Sequence, residues 1–247
     1  MAEVDPVDPV VRRLRGRVQQ RQLSLDVHLR DDATLDNFLA LEKVQPLVCA
    51  LETQLQDAGE AVIYLYGPSG TGKSHLLQAS SLVEGGETLY LPLSELRQYP
   101  AHEVLQGVEM LDRVCLDDIH AVLTDASWEL ALFNLYNNAR AQGCKLVVAG
   151  NAAPRALNVN LPDLRSRLAW GIVFQLAPGD DNDKSAILQF RAARRGLTLS
   201  PDVASYIVSR APRAMEQLLA VLDELDKASL ARQRALSIPF VKEALGW

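Results

Sequence analysis

"GPSGTGKS", Gly67 to Ser74, decides the fold. It fits the spacing G-x-x-x-x-G-K-[ST], follows the apolar run "AVIYLY" (61–66) and opens the helical stretch "HLLQASSLV". A phosphate cradle needs that strand–loop–helix context. In such a loop, Gly67, Pro68, Ser69, Gly70, Thr71 and Gly72 wrap backbone N–H groups around phosphate oxygens. Lys73 brings a point charge to the β- and γ-phosphates. The Ser74 hydroxyl reaches Mg²⁺, and the helix adds the positive end of its dipole. A chance match in a Gly-rich turn is the competing reading, and the flanking strand and helix weigh against it.

Outward from the loop, "TLYLPL" (88–93), "RVCLDDI" (113–119), "KLVVAG" (145–150) and "GIVFQL" (171–176) are further short apolar runs, rich in β-branched residues. Helical spacing fills the stretches between them, in "ASWELALFNLYNNARAQG" and "LPDLRSRL", and ahead of the loop in "DNFLALEKVQPLVCALETQLQ". Strands alternating with helices predict an α/β fold with a five-stranded parallel sheet covered on both faces. After "APGDD" the pattern changes: "KSAILQFRAARRG", "SPDVASYIVSRA", "RAMEQLLAVLDELDKASLARQ" and "IPFVKEALGW" are all helical in period. Ser200 before Pro201 is a cap-then-proline helix start. The expected organisation is an N-terminal arm over 1–30, an α/β unit over 31–177 and a small all-helical lid over 178–247.

Three strand ends add candidate chemistry. "VCLDD" puts Asp117 and Asp118 at the carboxyl edge of a parallel sheet, beside the phosphates. There Asp117 would hold Mg²⁺, and Asp118 would orient or deprotonate an attacking water. Asn151 ends "KLVVAGN", where its amide could meet the γ-phosphate or the water, or serve a turn. His75 is expected to pack or to lie at the surface, not to act in catalysis. Arg165 and Arg167 stand two apart on a short helix, so they face different sides. Each reads as a surface charge or as an arginine reaching a neighbouring molecule's nucleotide.

The chain has 247 residues, 48% hydrophobic and 23% charged, with net charge −6, which argues against a whole-chain nucleic-acid binder. Arg12, Arg13, Arg15, Arg17 and Arg21 are the basic exception, read as a solvated arm or a DNA-touching one. Cys49, Cys115 and Cys144 have neither disulfide nor metal spacing. "MAEVDPVDP" is not a signal peptide, and no apolar run spans a membrane, so a cytoplasmic location is expected. "QLSLDV" (22–27) alternates apolar and polar residues. The period alone leaves it open between an edge strand and an extended peptide docking elsewhere.

"TLDNF" (34–38), "GPSGTGKSHLLQA", "CLDDIH" and "LRSRLAWG" together resemble the AAA+ ATPases, and among them the DnaA replication-initiator group. Two features separate the chain from an initiator. The lid is expected to run to "SIPFVKEALGW", with no duplex-reading helix-turn-helix domain expected after it. The stretch between "TLYLPL" and "RVCLDDI" is too short for extra DNA-contacting helices. "WELALFNLYN", "DLRSRLAWG", "LDELDKAS" and "IPFVKEAL" are similar to the family's regulatory-inactivator branch, a resemblance covering about residues 20 to 247.

That resemblance implies an AAA+ nucleotide-binding unit with a helical lid, binding ADP or ATP with Mg²⁺. Gly67 to Ser74 would hold phosphate, Ser74 and Asp117 the metal, and Asn37 and Phe38 the region of the adenine. Asn151 would be the first sensor, and Arg167 the trans-acting arginine finger. Gln22, Leu23, Leu25 and Val27 would bind the replicative sliding clamp. The implied partners are DnaA and the clamp, with DNA reached through the clamp, self-association left open and no membrane. The implied place is the cytoplasm, near the nucleoid. The implied role is negative regulation of replication initiation by stimulating ATP hydrolysis on DnaA. One departure stands out: the lid position where this family carries an arginine sensor aligns with Glu216, with Arg213 one helical turn earlier. The competing functions are an autonomous AAA+ ATPase such as a helicase loader, and a non-catalytic clamp-binding adaptor.

Overall fold

The computed structural model describes residues 32–83 and 85–247; the arm, with Gln22, Leu23, Leu25 and Val27, lies outside the described residues. Five strands, β1 (Val62–Tyr66), β2 (Thr88–Pro92), β3 (Arg113–Asp117), β4 (Lys145–Gly150) and β5 (Ile172–Gln175), form one sheet in the order β2-β3-β4-β1-β5. Every pairing is parallel, with β1 in register against both β4 (Tyr66 beside Gly150) and β5 (Tyr66 beside Gln175). Helices α1 (Gln45–Thr53) and α2 (Lys73–Ser81) cover one face. The other face is covered by α3 (Leu93–Leu96), α4 (Ala101–Val104), α5 (Ala126–Gln142) and α6 (Pro162–Leu168).

The central strands serve both cores alternately. Val62, Tyr64, Val114, Leu116, Leu146 and Val148 join the core under α3 to α6. Ile63, Leu65, Cys115, Val147 and Ala149 join the core under α1 and α2. A strand buried on both faces has no polar side to show, which is why these runs read as continuously apolar. The edge strand β5 instead alternates, with Val173 42% exposed. α5 starts where the Asp125 side chain accepts from Ser127 and Trp128 N–H, and it ends at Gly143 in the left-handed region (φ 80°).

Beyond the sheet, α7 (Asp181–Arg194), α8 (Pro201–Arg210), α9 (Met215–Arg232) and α10 (Ile238–Leu245) enclose a separate core that includes Leu188, Ile207, Leu222 and Phe240. Asp180 and Asp183 form a reciprocal capping box on α7, and Ser200 caps α8 ahead of Pro201. Two ion pairs tie α7 to the chain before β1, Lys43 with Asp183 and Arg191 with Asp32. Arg191 also donates to the Asn37 carbonyl at 3.1 Å. No helix among the described residues is long and apolar enough to cross a membrane.

Two expectations shift. The helix expected from "DNFLALEKVQ" begins only at Gln45, with Pro46 in its first turn; before it lie a 3₁₀ turn at Leu35–Asn37 and an extended Phe38. Proline favours the first helical turn and cannot extend an existing one backward. And α9 starts at Met215 after an extended Ala214, so Arg213 sits in the bend before the helix and not on the helix one turn ahead of Glu216.

Candidate nucleotide site

All strands run the same way, so β1, β3 and β4 deliver the phosphate loop, Asp117 and Asn151 to one edge. A Cβ on Gly67 would lie 2.1 Å from the Leu176 carbonyl, and one on Gly72 would lie 2.9 Å from the Phe38 ring. Gly72 also has φ 92° at the start of α2. Glycine is therefore needed where the loop leaves the sheet and where it turns into the helix. Lys73 is buried, and its ammonium donates to the Gly67 and Pro68 carbonyls at 2.8 Å each. Burial lowers its pKa, while Asp117 and Asp118 push the other way. Phosphate oxygens would offer this cation ionic acceptors in place of neutral carbonyls.

Asp117 is buried and accepts from the Tyr90 hydroxyl at 2.8 Å, from the Ser74 hydroxyl and from the Asp118 N–H at 2.9 Å. Burial raises its pKa, and the Ser74 and Tyr90 hydrogen bonds pull it back. A buried carboxylate beside a serine hydroxyl at a phosphate loop fits a hard divalent cation, whose charge would restore the ionised form. Asp118, with φ 51°, lines the cavity, and its Oδ2 accepts from Ser94 Oγ at 3.1 Å.

The cavity has a volume of about 640 Å³, within the range for a small-molecule site. The loop from Ser69 to Ser74 forms its floor, with Asp118 and Asn151 at one side and Phe38 and Val44 at another. Asn37 lines it too, but its amide is committed to the Asp32 carbonyl at 2.8 Å. His75 lies 5.6 Å between ring centroids from Phe38 and is bonded to the Thr34 carbonyl. The lid closes the roof with Arg213, Glu216, Lys184 and Arg191. Sequence reading missed the last two, although Lys184, Ile187 and Arg191 share one face of α7 at helical spacing. His120, a further lining residue, was also missed; its buried Nδ1 has no hydrogen-bond partner among the described residues.

Arg167 lies elsewhere. α6 ends where β5 begins, and a Cβ on Gly171 would touch the Val62 carbonyl at the start of β1. This is the edge of the sheet opposite the phosphate loop. The Arg167 guanidinium sits 4.0 Å from the centre of the Trp170 ring, and its Nε donates to Asn137 Oδ1 at 3.1 Å. Arg165 is exposed and donates to the Val159 carbonyl. Of the expected residues, Asn37, Phe38, Ser69 to Ser74, Asp118, Asn151 and Arg213 share the cavity, while Gly67 and Pro68 meet it through Lys73. Asp117 stands behind Ser74, and Arg167 is apart.

The comparisons agree with this geometry. The family model described as Hda, lid domain, matches residues 181–245. An uncharacterized protein of Haemophilus influenzae is 42% identical over 229 residues, covering 91% of this chain and 98% of that one. Domain III of the Thermotoga maritima replication initiation protein DnaA superposes with TM-score 0.73 at 19% identity, covering 89% of this chain and 98% of that one. AMPPCP-bound DnaA from Aquifex aeolicus gives TM-score 0.70 at 21% identity, covering 82% and 67%. Their likeness is one of fold. With the lid match and the five-stranded parallel order, it leads to one assignment: an Hda-like protein of DnaA-related AAA+ fold, with an Hda lid domain over residues 181–245.

Proposed function

We propose that this DnaA-related protein is a negative regulator of chromosomal replication initiation that binds ADP with Mg²⁺, docks on the DNA-loaded sliding clamp through Gln22, Leu23, Leu25 and Val27, and stimulates ATP hydrolysis by DnaA. The observation that carries the reading is the placement of Arg167. It stands at the opposite sheet edge from this chain's own phosphate loop, so a second molecule's nucleotide is its natural target. A finger arginine of this kind is worth about 10³–10⁵ in rate, or roughly 4–7 kcal/mol of barrier. Phosphate is held by Gly67 to Ser74 and the metal by Ser74 and Asp117. Arg213 borders the phosphates from the lid, with Asn37 and Phe38 on the base side. The clamp tether raises the local concentration of both partners, so neither contact has to be tight. The work is cytoplasmic, at the nucleoid.

A second reading keeps one specific support. Lys73, Asp117, Asp118 and Asn151 cluster at one edge as in a self-sufficient ATPase. It requires turnover by the chain alone. The deciding measurement is ATP hydrolysis by DnaA with added wild type or Arg167→Ala, with and without clamp on DNA. Clamp-dependent stimulation lost in the variant is the expected result. Equal stimulation by both proteins would remove the trans role, and hydrolysis by the chain in the absence of DnaA would favour the ATPase.

A further inference from the structure

Trp170 carries two arginines. The guanidinium of Arg167, from the last turn of α6, lies 4.0 Å from the indole centre, and that of Arg140, from the last turn of α5, lies 4.8 Å from it. The two cations therefore cannot be farther apart than those distances laid end to end. Among the described residues neither takes part in an ion pair, whereas Arg191, Arg195, Arg232 and Arg234 each meet a carboxylate. Like charges this close repel, and the negative face of the indole offsets part of the cost. A guanidinium lying on a ring uses its face for the contact and keeps its N–H rim for oxyanions.

We infer that Arg140 is a second cation of the trans surface and that Trp170 is the platform holding both arginines, so that this surface receives a polyphosphate presented by another protein molecule. The inference rests on the trans role of Arg167 and adds two residues to it. Asn137 fixes the Arg167 Nε and thereby its direction; Trp170 supports the plane. Arg140 is exposed and makes no hydrogen bond among the described residues, so its contribution is charge. Arg167 acts on the reacting phosphoryl group, and Arg140 adds affinity for the charge around it. A triphosphate carries one more charged group than a diphosphate, so the pair discriminates in favour of the triphosphate form of the partner.

The test uses Arg140→Ala, Arg140→Lys, Trp170→Leu and Trp170→Phe in the full chain, with melting temperature and ADP binding in the chain's own cavity as folding controls. Arg140→Ala is expected to raise the concentration giving half-maximal stimulation of DnaA about five- to tenfold while the maximal rate stays within about twofold, and Arg140→Lys to restore most of it. Trp170→Leu is expected to lower the maximal rate about tenfold, with Trp170→Phe keeping most of it. Binding of Arg140→Ala should weaken toward ATP-loaded DnaA and not toward ADP-loaded DnaA. Equal weakening toward both forms would assign Arg140 to partner side chains and overturn the polyphosphate reading, as would wild-type behaviour of Arg140→Ala. Wild-type maximal rates in both Trp170 variants would overturn the platform. If Arg167→Ala stimulates fully, the trans role itself fails; if it does not, any failure above belongs to Arg140 and Trp170 alone.

Discussion

Tyr90 reaches across from β2 to donate its phenolic hydrogen to Asp117 Oδ2 on β3, at 2.8 Å, in the interior beside the phosphate loop. The bond neutralises part of the cost of a buried carboxylate but not all of it, because burial still leaves the Asp117 pKa raised above 3.8. A carboxyl whose folded pKa is raised favours folding most when protonated. Its contribution declines as pH rises from the unfolded value through the folded one. Asp117→Asn is therefore expected to raise the melting temperature of the nucleotide-free protein at neutral pH and to flatten its dependence on acid. A chain this size gains about 2–4 °C for each kcal/mol. The same variant should lose the Mg²⁺-dependent part of nucleotide affinity. Scanning calorimetry across pH with and without Mg²⁺–ADP checks both, and a lowered melting temperature at neutral pH would contradict the account.

Glu129 does the opposite kind of work. It is buried in the first turn of α5, with Oε1 accepting from the Thr124 and Asn160 N–H groups at 2.9 Å each and Oε2 from the Leu161 N–H at 2.7 Å. Burial pushes its pKa up, but those three donors and nearby Arg165 outweigh it, and the net shift is downward. The stabilisation is complete above the ordinary glutamate pKa and fades as pH falls through the lower folded value. Because Asn160 and Leu161 lead into α6, Glu129 also sets where Arg167 stands. Glu129→Gln should cost about 1–3 kcal/mol near neutral pH, since a charge-assisted acceptor becomes a neutral one with an unmatched amide. It should also reduce stimulation of DnaA more than it reduces ADP binding. Urea titration and the two functional assays report on this, and an unaltered unfolding midpoint would refute it.

The clamp-binding peptide is a prediction from resemblance and period. Gln22→Ala, Leu25→Ala and Val27→Ala combined should abolish clamp binding, expected at roughly micromolar strength for so short a ligand. ADP affinity and melting temperature should stay at wild-type values. Deletion of residues 1–28 should act the same way. Surface-resonance binding to immobilised clamp, paired with thermal melting, separates the alternatives: a large loss of stability on deletion would identify the segment as an edge strand of the sheet.

What the sequence made legible follows from range. The loop from Gly67 to Ser74 and the five apolar strands are local patterns, and each is in place. The early start expected for α1 failed because Phe38 is held extended against Gly72 and His75, contacts that no local period encodes. Tyr90, Glu129 and Arg191 were invisible for a related reason. Each acts on residues 27, 31 or 32, and 154 or 159 positions away, brought together only by the sheet order and the fold-back of α7. Arg167 was legible as a residue but not as a placement, since only the parallel topology puts it opposite the phosphate loop.

Glu216 bears on which nucleotide the cavity prefers. It stands in the first turn of α9 and lines the roof of the cavity together with Arg213, which sits in the bend just before. A carboxylate is stable at a helix N-terminus, where the dipole favours negative charge. That same placement occupies with an anion the point from which α9 would otherwise attract phosphate. The γ-phosphate adds charge to be met there, and ADP lacks it. Arg213 offsets part of the repulsion, and water screens more, because both side chains are exposed. The expected net result is a preference for ADP over ATP of about tenfold, equivalent to roughly 1.4 kcal/mol, with slow hydrolysis by the chain alone. Glu216→Arg should narrow or reverse the preference, and Glu216→Gln should fall between. Arg213→Ala should widen it, since the offsetting cation is gone. Calorimetric titration of ADP and ATP into the wild type and these variants decides the matter: equal affinities in the wild type, or a ratio that Glu216→Arg leaves unchanged, would show that Glu216 does not sense the third phosphate.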